Sequence, residues 1–353
     1  MSKSILIVDD RKANIDMLTT ILKQDYAIMA AVSGENACKL MDRRKPDLVL
    51  LDVFMPGMDG FGVLAYMKSS RDLSGMPVVF VTGEHDEVVE ERGLFMGAVD
   101  YIKKPYNAAV VQFKVRNHLL LKQYRDELET LVVKRTAQLT ASREAIIMGM
   151  SLMSESHDPV TSGHIERIKT YTRILAEQLL AEQPGLLSRE AAEQIILYSP
   201  LHDMGKIELP DTVLGKETPL TPEEQEIMRR HTLIGGELLR RTEIFFFEKS
   251  EEADLGVAVD IAECHHEHYD GTGYPRGLAG EDIPLSARIV ALADVYDRLR
   301  SNLFTEKQYN CEEAVEAILH GDGTVSPSHF DPRVLEAFKN ARERFRYRYT
   351  NKR

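Results

Sequence analysis

The first hundred or so residues alternate between short apolar runs and amphipathic stretches. Ser4–Val8, Leu48–Leu51 and Pro77–Val81 are uninterrupted apolar runs of strand length, which predicts strands buried on both faces. Between them, Lys12–Lys23 carries Ile15, Leu18 and Leu22 at helical spacing. Strand and helix in alternation with short connections predict a doubly wound α/β domain around a five-stranded parallel sheet, placed at residues 1–120. Functional groups in that architecture gather at the carboxyl ends of the strands.

The pattern then changes. Glycine and proline are absent from Asn107 to Met148, and Leu121, Tyr124, Leu128 and Leu131 recur at roughly heptad spacing, followed less regularly by Leu139 and Ile146. This predicts one long helical linker over residues 107–150 with a short coiled-coil seam. The alternative is a solvated connector packed on its own domain, but a helix without a partner gains little stability in water, so the seam favours a parallel homodimer. Residues 151–345 read as an all-α domain, exemplified by His164–Leu180 with its stripe of Ile165, Ile168, Tyr171, Leu175 and Leu179. The arginine-rich tail after residue 342 is expected to fray.

Composition narrows the function classes. With 353 residues, 43% of them apolar and 28% charged, the chain has the balance of a soluble protein of two or three domains. A net charge of −12 and the lack of a basic recognition helix argue against binding DNA. No apolar run is long enough to span a membrane and no leader is apparent, so a cytoplasmic location is expected. Cys38, Cys264 and Cys311 are scattered, which excludes a thiolate zinc motif and makes disulfides unexpected. An acidic protein that handles an anionic substrate needs local cations.

Two sets of polar residues offer that chemistry. Asp9 and Asp10 follow the first strand, Asp52 ends the third, and Thr82 and Lys104 end the fourth and fifth. Three carboxylates together repel one another unless a cation sits among them, and oxygen-only ligation suits Mg2+. Magnesium and a lysine together neutralise a phosphoryl group passing to a carboxylate. A single strand-end Asp is ordinarily a turn residue; five such groups at strand tips are not ordinary.

The second set is His164, His202, Asp203, His231, His265, His266 and Asp294. Imidazole and carboxylate donors without thiolates suit iron, manganese or zinc. Adjacent residues on a helix point about 100° apart, so His202 and Asp203 would serve different ions, or Asp203 would bridge two. Seven donors exceed what one tetrahedral ion takes and fit a two-metal site, which activates water and clamps a phosphodiester. His268 and His329 have no such context and read as structural.

These motifs carry two resemblances. VDD (Val8–Asp10), LLDVFMPGMDG (Leu50–Gly60), VTG (Val81–Gly83) and DYIKKP (Asp100–Pro105) resemble the receiver domains of two-component response regulators. That resemblance implies Asp52 as the phospho-acceptor for a cognate sensor histidine kinase, with Asp9, Asp10 and Asp52 around Mg2+. It further implies Thr82 as the switch hydroxyl, Tyr101 as the aromatic that turns inward with it, and Lys104 as a phosphate contact. HDMGK (His202–Lys206), LPD (Leu209–Asp211), HHEHYDGTGYPRGLAGEDIPLSARI (His265–Ile289), DVYD (Asp294–Asp297) and FDP (Phe330–Pro332) resemble the HD-GYP family, metal-dependent cyclic di-GMP phosphodiesterases of the HD superfamily. This second resemblance, over about residues 145–340, implies the seven donors above as ligands of two divalent metals, iron or manganese. It implies Asp203 and Lys206 as catalytic residues, Lys206 contacting the phosphate, and Gly273, Tyr274 and Pro275 as the substrate loop. The products would be linear pGpG or GMP, and phosphorylation of Asp52 would control the hydrolysis.

The chain departs from that family pattern at several places. Val160 stands four residues before His164, where some members have a carboxylate for a third metal, so two metals are expected and Glu155 is at most a supporting residue. Leu303-Phe304-Thr305-Glu306 replaces an RPYK-like stretch whose two cations hold the substrate phosphates; Arg300 and Lys307 lie nearby. Glu208 stands where a small glycine is usual. These departures keep open two alternatives: a catalytically weak domain that works as a nucleotide-binding or protein-interaction module, and a phosphodiesterase for another cyclic dinucleotide such as cyclic GMP-AMP.

Overall fold

A computed structural model describes residues 3–83, 87–154, 163–216, 218–250, 254–301 and 309–346. Backbone proximity divides the chain into Met1–Ala137 and Gln138–Arg353, and each unit is taken by itself.

The first unit alternates β1 (Ser4–Val8), α1 (Lys12–Leu22), β2 (Ala27–Ala31), α2 (Gly34–Arg43), β3 (Leu48–Asp52), α3 (Gly60–Ser69), β4 (Val78–Thr82), α4 (Glu87–Phe95) and β5 (Asp100–Lys103). The strands form one five-stranded sheet in the order β2-β1-β3-β4-β5, with every pairing parallel. Side-chain alternation along the strands sorts residues onto two faces. Leu6, Val8, Val49, Leu51, Val78 and Phe80 meet Ala37, Met41, Val63, Leu64 and Met67 of α2 and α3. Ile5, Ile7, Leu48, Leu50, Val79 and Val81 meet Ile15, Leu18 and Leu22 of α1. Burial on both faces explains why these strands read as continuous apolar runs.

The long helix α5 (Ala108–Ser154) starts in the same core, with Val111, Val115 and Leu119 buried against that second face. Its predicted seam is then solvent-facing: Leu121, Tyr124, Leu128, Leu131, Leu139 and Ile146 are all exposed, Leu128 by 60%. The last turns of α5 pack into the second unit. Ile147 joins that core, Arg143 donates to the Tyr198 hydroxyl, and Glu144 pairs with Lys169 at 3.1 Å. By backbone proximity the second unit starts at Gln138, inside α5.

The second unit continues with α6 (His164–Glu182), α7 (Arg189–Tyr198), α8 (Asp211–Leu214), α9 (Pro222–Arg229), α10 (His231–Ser250), α11 (Gly256–Cys264), α12 (Leu285–Ser301), α13 (Cys311–His320) and α14 (Pro332–Arg346). Its core is a layer of apolar helix faces around the rings of Tyr171, Tyr296, Phe338 and Phe345, packed with centroids 4.9 to 5.7 Å apart. Each such buried ring removes a large apolar area from water, worth roughly 1.5–3 kcal/mol, and so fixes α6, α12 and α14 against one another. On that frame the starts of α6 and α10, the end of α11 and the middle of α12 carry the histidines and Asp294.

Candidate metal centre

In the first unit the acidic residues converge at the carboxyl edge of the sheet. Carboxylate oxygens of Asp9, Asp10 and Asp52 lie within 4.8 Å of one another, an all-oxygen set that fits a hard cation. Asp9 is held by Asn14, whose amide donates to both of its oxygens at 3.0 and 2.9 Å. Lys104 donates to Asp9 at 3.0 Å and to Asp52 at 2.9 Å. Burial pushes the Asp52 carboxyl up to about 6, against the pull of Lys104 and with the help of Asp9. Thr82 is buried and its hydroxyl has no hydrogen-bond partner among the described residues. Tyr101 is half-buried, with the Lys114 ammonium 4.9 Å from its ring centre. Gly60 is required here, because a Cβ would come within 2.4 Å of the Asp52 carbonyl oxygen.

In the second unit the donors form two groups that share one residue. Donor atoms of Asp203, His231, His265 and His266 lie within 4.8 Å of one another, and so do those of His164, His202 and Asp203. Asp203 divides its oxygens between the groups. Oδ1 faces His231 Nε2 at 3.2 Å and His265 Nε2 at 3.5 Å, while Oδ2 faces His202 Nε2 at 3.3 Å. Asp203 Oδ1, His231 Nε2 and His265 Nε2 are buried yet make no aligned hydrogen bond among the described residues. Three buried polar atoms left in this way cost several kcal/mol together unless something else satisfies them. A divalent cation is the group that fits.

The opposite ring nitrogens fix the tautomers. His202 Nδ1 lies 3.0 Å from the Ser199 carbonyl, His231 Nδ1 2.6 Å from that of Met228, and His265 Nδ1 3.0 Å from that of Ile261. Nδ1–H then donates to the backbone and Nε2 keeps its lone pair for the interior. His265 and His266 are both held below the usual imidazole range, first by burial, which keeps them neutral and able to ligate. Burial alone would raise Asp203, but Lys206 and His202 outweigh it and hold the carboxyl well below its ordinary value.

His202 and Asp203 do not lie on an α-helix as the 100° argument supposed. They sit between two short 3-10 segments, Ser199–Leu201 and Met204–Glu208, because Asp203 leaves helical geometry at φ −99°, ψ 16°. Three residues per turn in the second segment bring Lys206 over Asp203, with Nζ 2.9 Å from Oδ2. Gly205 lets this segment touch the start of α10, since a Cβ there would meet the His231 carbonyl oxygen at 2.0 Å. Glu208 is exposed.

Comparison with known proteins agrees with both halves. Residues 5–116 match the response regulator receiver domain family and residues 149–334 the HD domain family. A Vibrio cholerae protein named "Probable cyclic di-GMP phosphodiesterase" is 39% identical over 95% of this chain and 77% of its own length. The cyclic di-GMP phosphodiesterase response regulator RpfG of Xanthomonas campestris is 32% identical, over 96% of this chain and 88% of its own. A cyclic di-GMP phosphodiesterase of Thermotoga maritima is 32% identical, over 95% and 89%. The chain belongs to the receiver–HD response regulators.

For a receiver–HD protein the remaining residues fall into place around the centre. Asp294, on α12, is buried but lies outside both four-ångström-scale groups; its carboxylate is 3.3 Å from Arg298 Nη1. Tyr274 of the GTGYP loop stacks on His266 with centroids 4.7 Å apart, and the Arg229 guanidinium lies 5.1 Å from the centre of the Tyr274 ring. The loop is pinned by the buried Glu267, which accepts from the backbone of Arg276 at 2.8 Å and of Leu278 at 3.0 Å. Gly273 fits only because it has no Cβ, which would stand 2.2 Å from the His268 amide nitrogen. His268 and His329 stack on each other at 3.9 Å, in line with a structural role.

Sequence reasoning missed Asp297 and Arg167. Asp297 is fully buried; its Oδ2 is 2.7 Å from His164 Nδ1, and Arg167 donates to both of its oxygens at 2.6 and 2.9 Å. It orients His164 as the backbone carbonyls orient the other histidines. Its signal was present, one helical turn after Asp294 in DVYD. Glu155, Val160, Leu303, Phe304, Thr305, Glu306 and Lys307 lie outside the described residues.

Proposed function

We propose that this protein is a response regulator whose helical unit hydrolyses cyclic di-GMP at a two-metal centre under control of phosphorylation at Asp52. The observation that carries the reading is the division of the Asp203 carboxylate between two donor groups, Oδ1 toward His231 and His265 and Oδ2 toward His202. His231, His265, His266 and Asp203 would hold one ion, and His164, His202 and Asp203 the other, with Asp294 completing the set from α12. Iron or manganese suits neutral imidazole with carboxylate. When bound, such a pair supplies positive charge for a phosphodiester and a water of lowered pKa.

The chain's own residues do the rest. Lys206, kept by Asp203 at 2.9 Å, adds a cation next to the donors as negative charge grows on the phosphate oxygens. Tyr274, stacked on His266, lies against the donors and shields that side of them from bulk water. Water adds to phosphorus, the bond to the 3′ oxygen breaks, and that oxygen takes up a proton, giving linear pGpG; a second round gives GMP. In the receiver unit Asp9, Asp10 and Asp52 would bind Mg2+ while Asp52 accepts a phosphoryl group from a sensor histidine kinase. Lys104 and Thr82 would contact that group, and Tyr101 would follow Thr82. The exposed seam of α5 supports pairing of two chains through that helix.

Full-length protein loaded anaerobically with iron or manganese is incubated with cyclic di-GMP, cyclic GMP-AMP and cyclic di-AMP, and products are followed by chromatography. Turnover of cyclic di-GMP in preference to the others is expected. Metal-replete protein that binds cyclic di-GMP without cleaving it would make the domain a binding module instead.

A further inference from the structure

The family pattern expects two cations at positions 303 and 306, and this chain has Leu303 and Glu306 there. Of the nearby cations named from sequence, Arg300 spends a donor on the Tyr309 carbonyl at 2.9 Å. Another cation, Arg298, stands two residues before it on α12. We propose that Arg298 is the residue that grips the scissile phosphodiester in this chain, doing the work of the absent cations.

Position supports this first. Arg298 stands four residues after Asp294 on α12, which puts both on one face of the helix, and Nη1 reaches Asp294 Oδ2 at 3.3 Å. Arg298 also lines a cavity of about 220 Å³ together with His265 and His266, two of the seven donors. It is 39% exposed, and a substrate can therefore reach it. Beyond Arg298 the wall is largely apolar, with Ala291, Val295, Leu299 and Phe330.

Charge supports it second. The guanidinium stands beside the Asp294 carboxylate, with Nη1 3.3 Å from Oδ2. A planar fork with five N–H donors can hold Asp294 and a phosphate oxygen at once, in the bidentate manner that suits phosphate. Its place beside a donor carboxylate, rather than deep on the apolar wall, favours the phosphate over the guanine base. In a chain of net charge −12 such a local cation matters more than in a neutral one.

The inference rests on the phosphodiesterase reading, and the test separates the two. Metal-loaded full-length wild type, Arg298→Ala and Arg298→Lys are compared for metal content, for kcat and KM with cyclic di-GMP, and for the Kd of a hydrolysis-resistant phosphorothioate analogue. Losing one charge-assisted contact should raise KM and Kd about ten- to hundred-fold in Arg298→Ala, with metal content unchanged and a smaller rise in Arg298→Lys. Partial recovery of affinity in Arg298→Lys, with metal content equal in all three proteins, is the pattern that a retained phosphate contact gives. KM and Kd within about two-fold of wild type in Arg298→Ala would overturn the proposal while leaving the phosphodiesterase intact. Loss of metal from that variant, or a defect confined to guanine-containing dinucleotides with cyclic di-AMP binding unchanged, would also overturn it. A wild type that holds metal but neither binds nor cleaves cyclic di-GMP would remove the phosphodiesterase reading itself.

Discussion

Gly205→Ala is the smallest change expected to damage the helical unit. The added Cβ would lie 2.0 Å from the His231 carbonyl oxygen, 2.5 Å from the Gly235 amide nitrogen and 2.9 Å from the His231 carbonyl carbon. All three are backbone atoms in the first turns of α10, so no side chain can swing aside. Relief requires α10 to withdraw by roughly 1.5 Å to reach ordinary contact. Overpacking costs about 1–3 kcal/mol and sometimes more, and a rigid backbone on the far side places this case near ~3 kcal/mol. At about 2–4 °C per kcal/mol for a unit of this size, the melting transition should fall by about 6–12 °C. His231 would move with α10 away from Asp203, so affinity for the metal should drop about tenfold or more. Gly149→Ala is the control: nothing lies within 4 Å of its Cβ and it sits inside α5. Replacing a mid-helix glycine should raise stability by about 1 kcal/mol. Scanning calorimetry and chelator competition measure both effects. Gly205→Ala melting with wild type and keeping its metal would refute the close-approach argument.

Three further outcomes are expected. Asp297→Ala removes the buried acceptor of His164 and Arg167 and should weaken metal binding about 10- to 100-fold, with Asp297→Asn losing less; equal affinity for Asp297→Ala would contradict the orienting role. Asp52 titrates near 6 in the fold, above its unfolded value, so the folded receiver binds the extra proton. Without divalent cations its stability should therefore rise as pH falls from about 7 to 5, a slope that Asp52→Asn removes; a flat denaturation midpoint in wild type would count against it. Leu128→Asp, on the exposed seam, should shift light-scattering mass from dimer to monomer, and an unchanged mass would exclude that seam as the dimer contact.

Much of this was legible in the sequence because the signals are periodic or chemically specific. Ser4–Val8 came out residue for residue, and the unbroken run from residue 107 marked α5 to within a few residues. The histidines stood out because clustered imidazoles have few structural uses. What escaped was geometry that periodicity does not encode. A 3-10 junction at Asp203 looks like helix in sequence, yet it is what aims one oxygen at each donor group. Asp297 and Arg298 belong to an ordinary-looking helix, and their meaning depends on which way α12 faces. Gly205 is one glycine among 22 until the backbone of α10 is seen against it.

Elemental analysis of anaerobically purified full-length protein, beside Asp203→Ala, bears most directly on the shared-carboxylate centre. Two first-row transition ions per chain are expected in wild type, and loss of both in the variant, because one side chain serves each group. A wild type that takes up no such ions, or an Asp203→Ala protein that keeps a full pair, would show that these donors do not build the site.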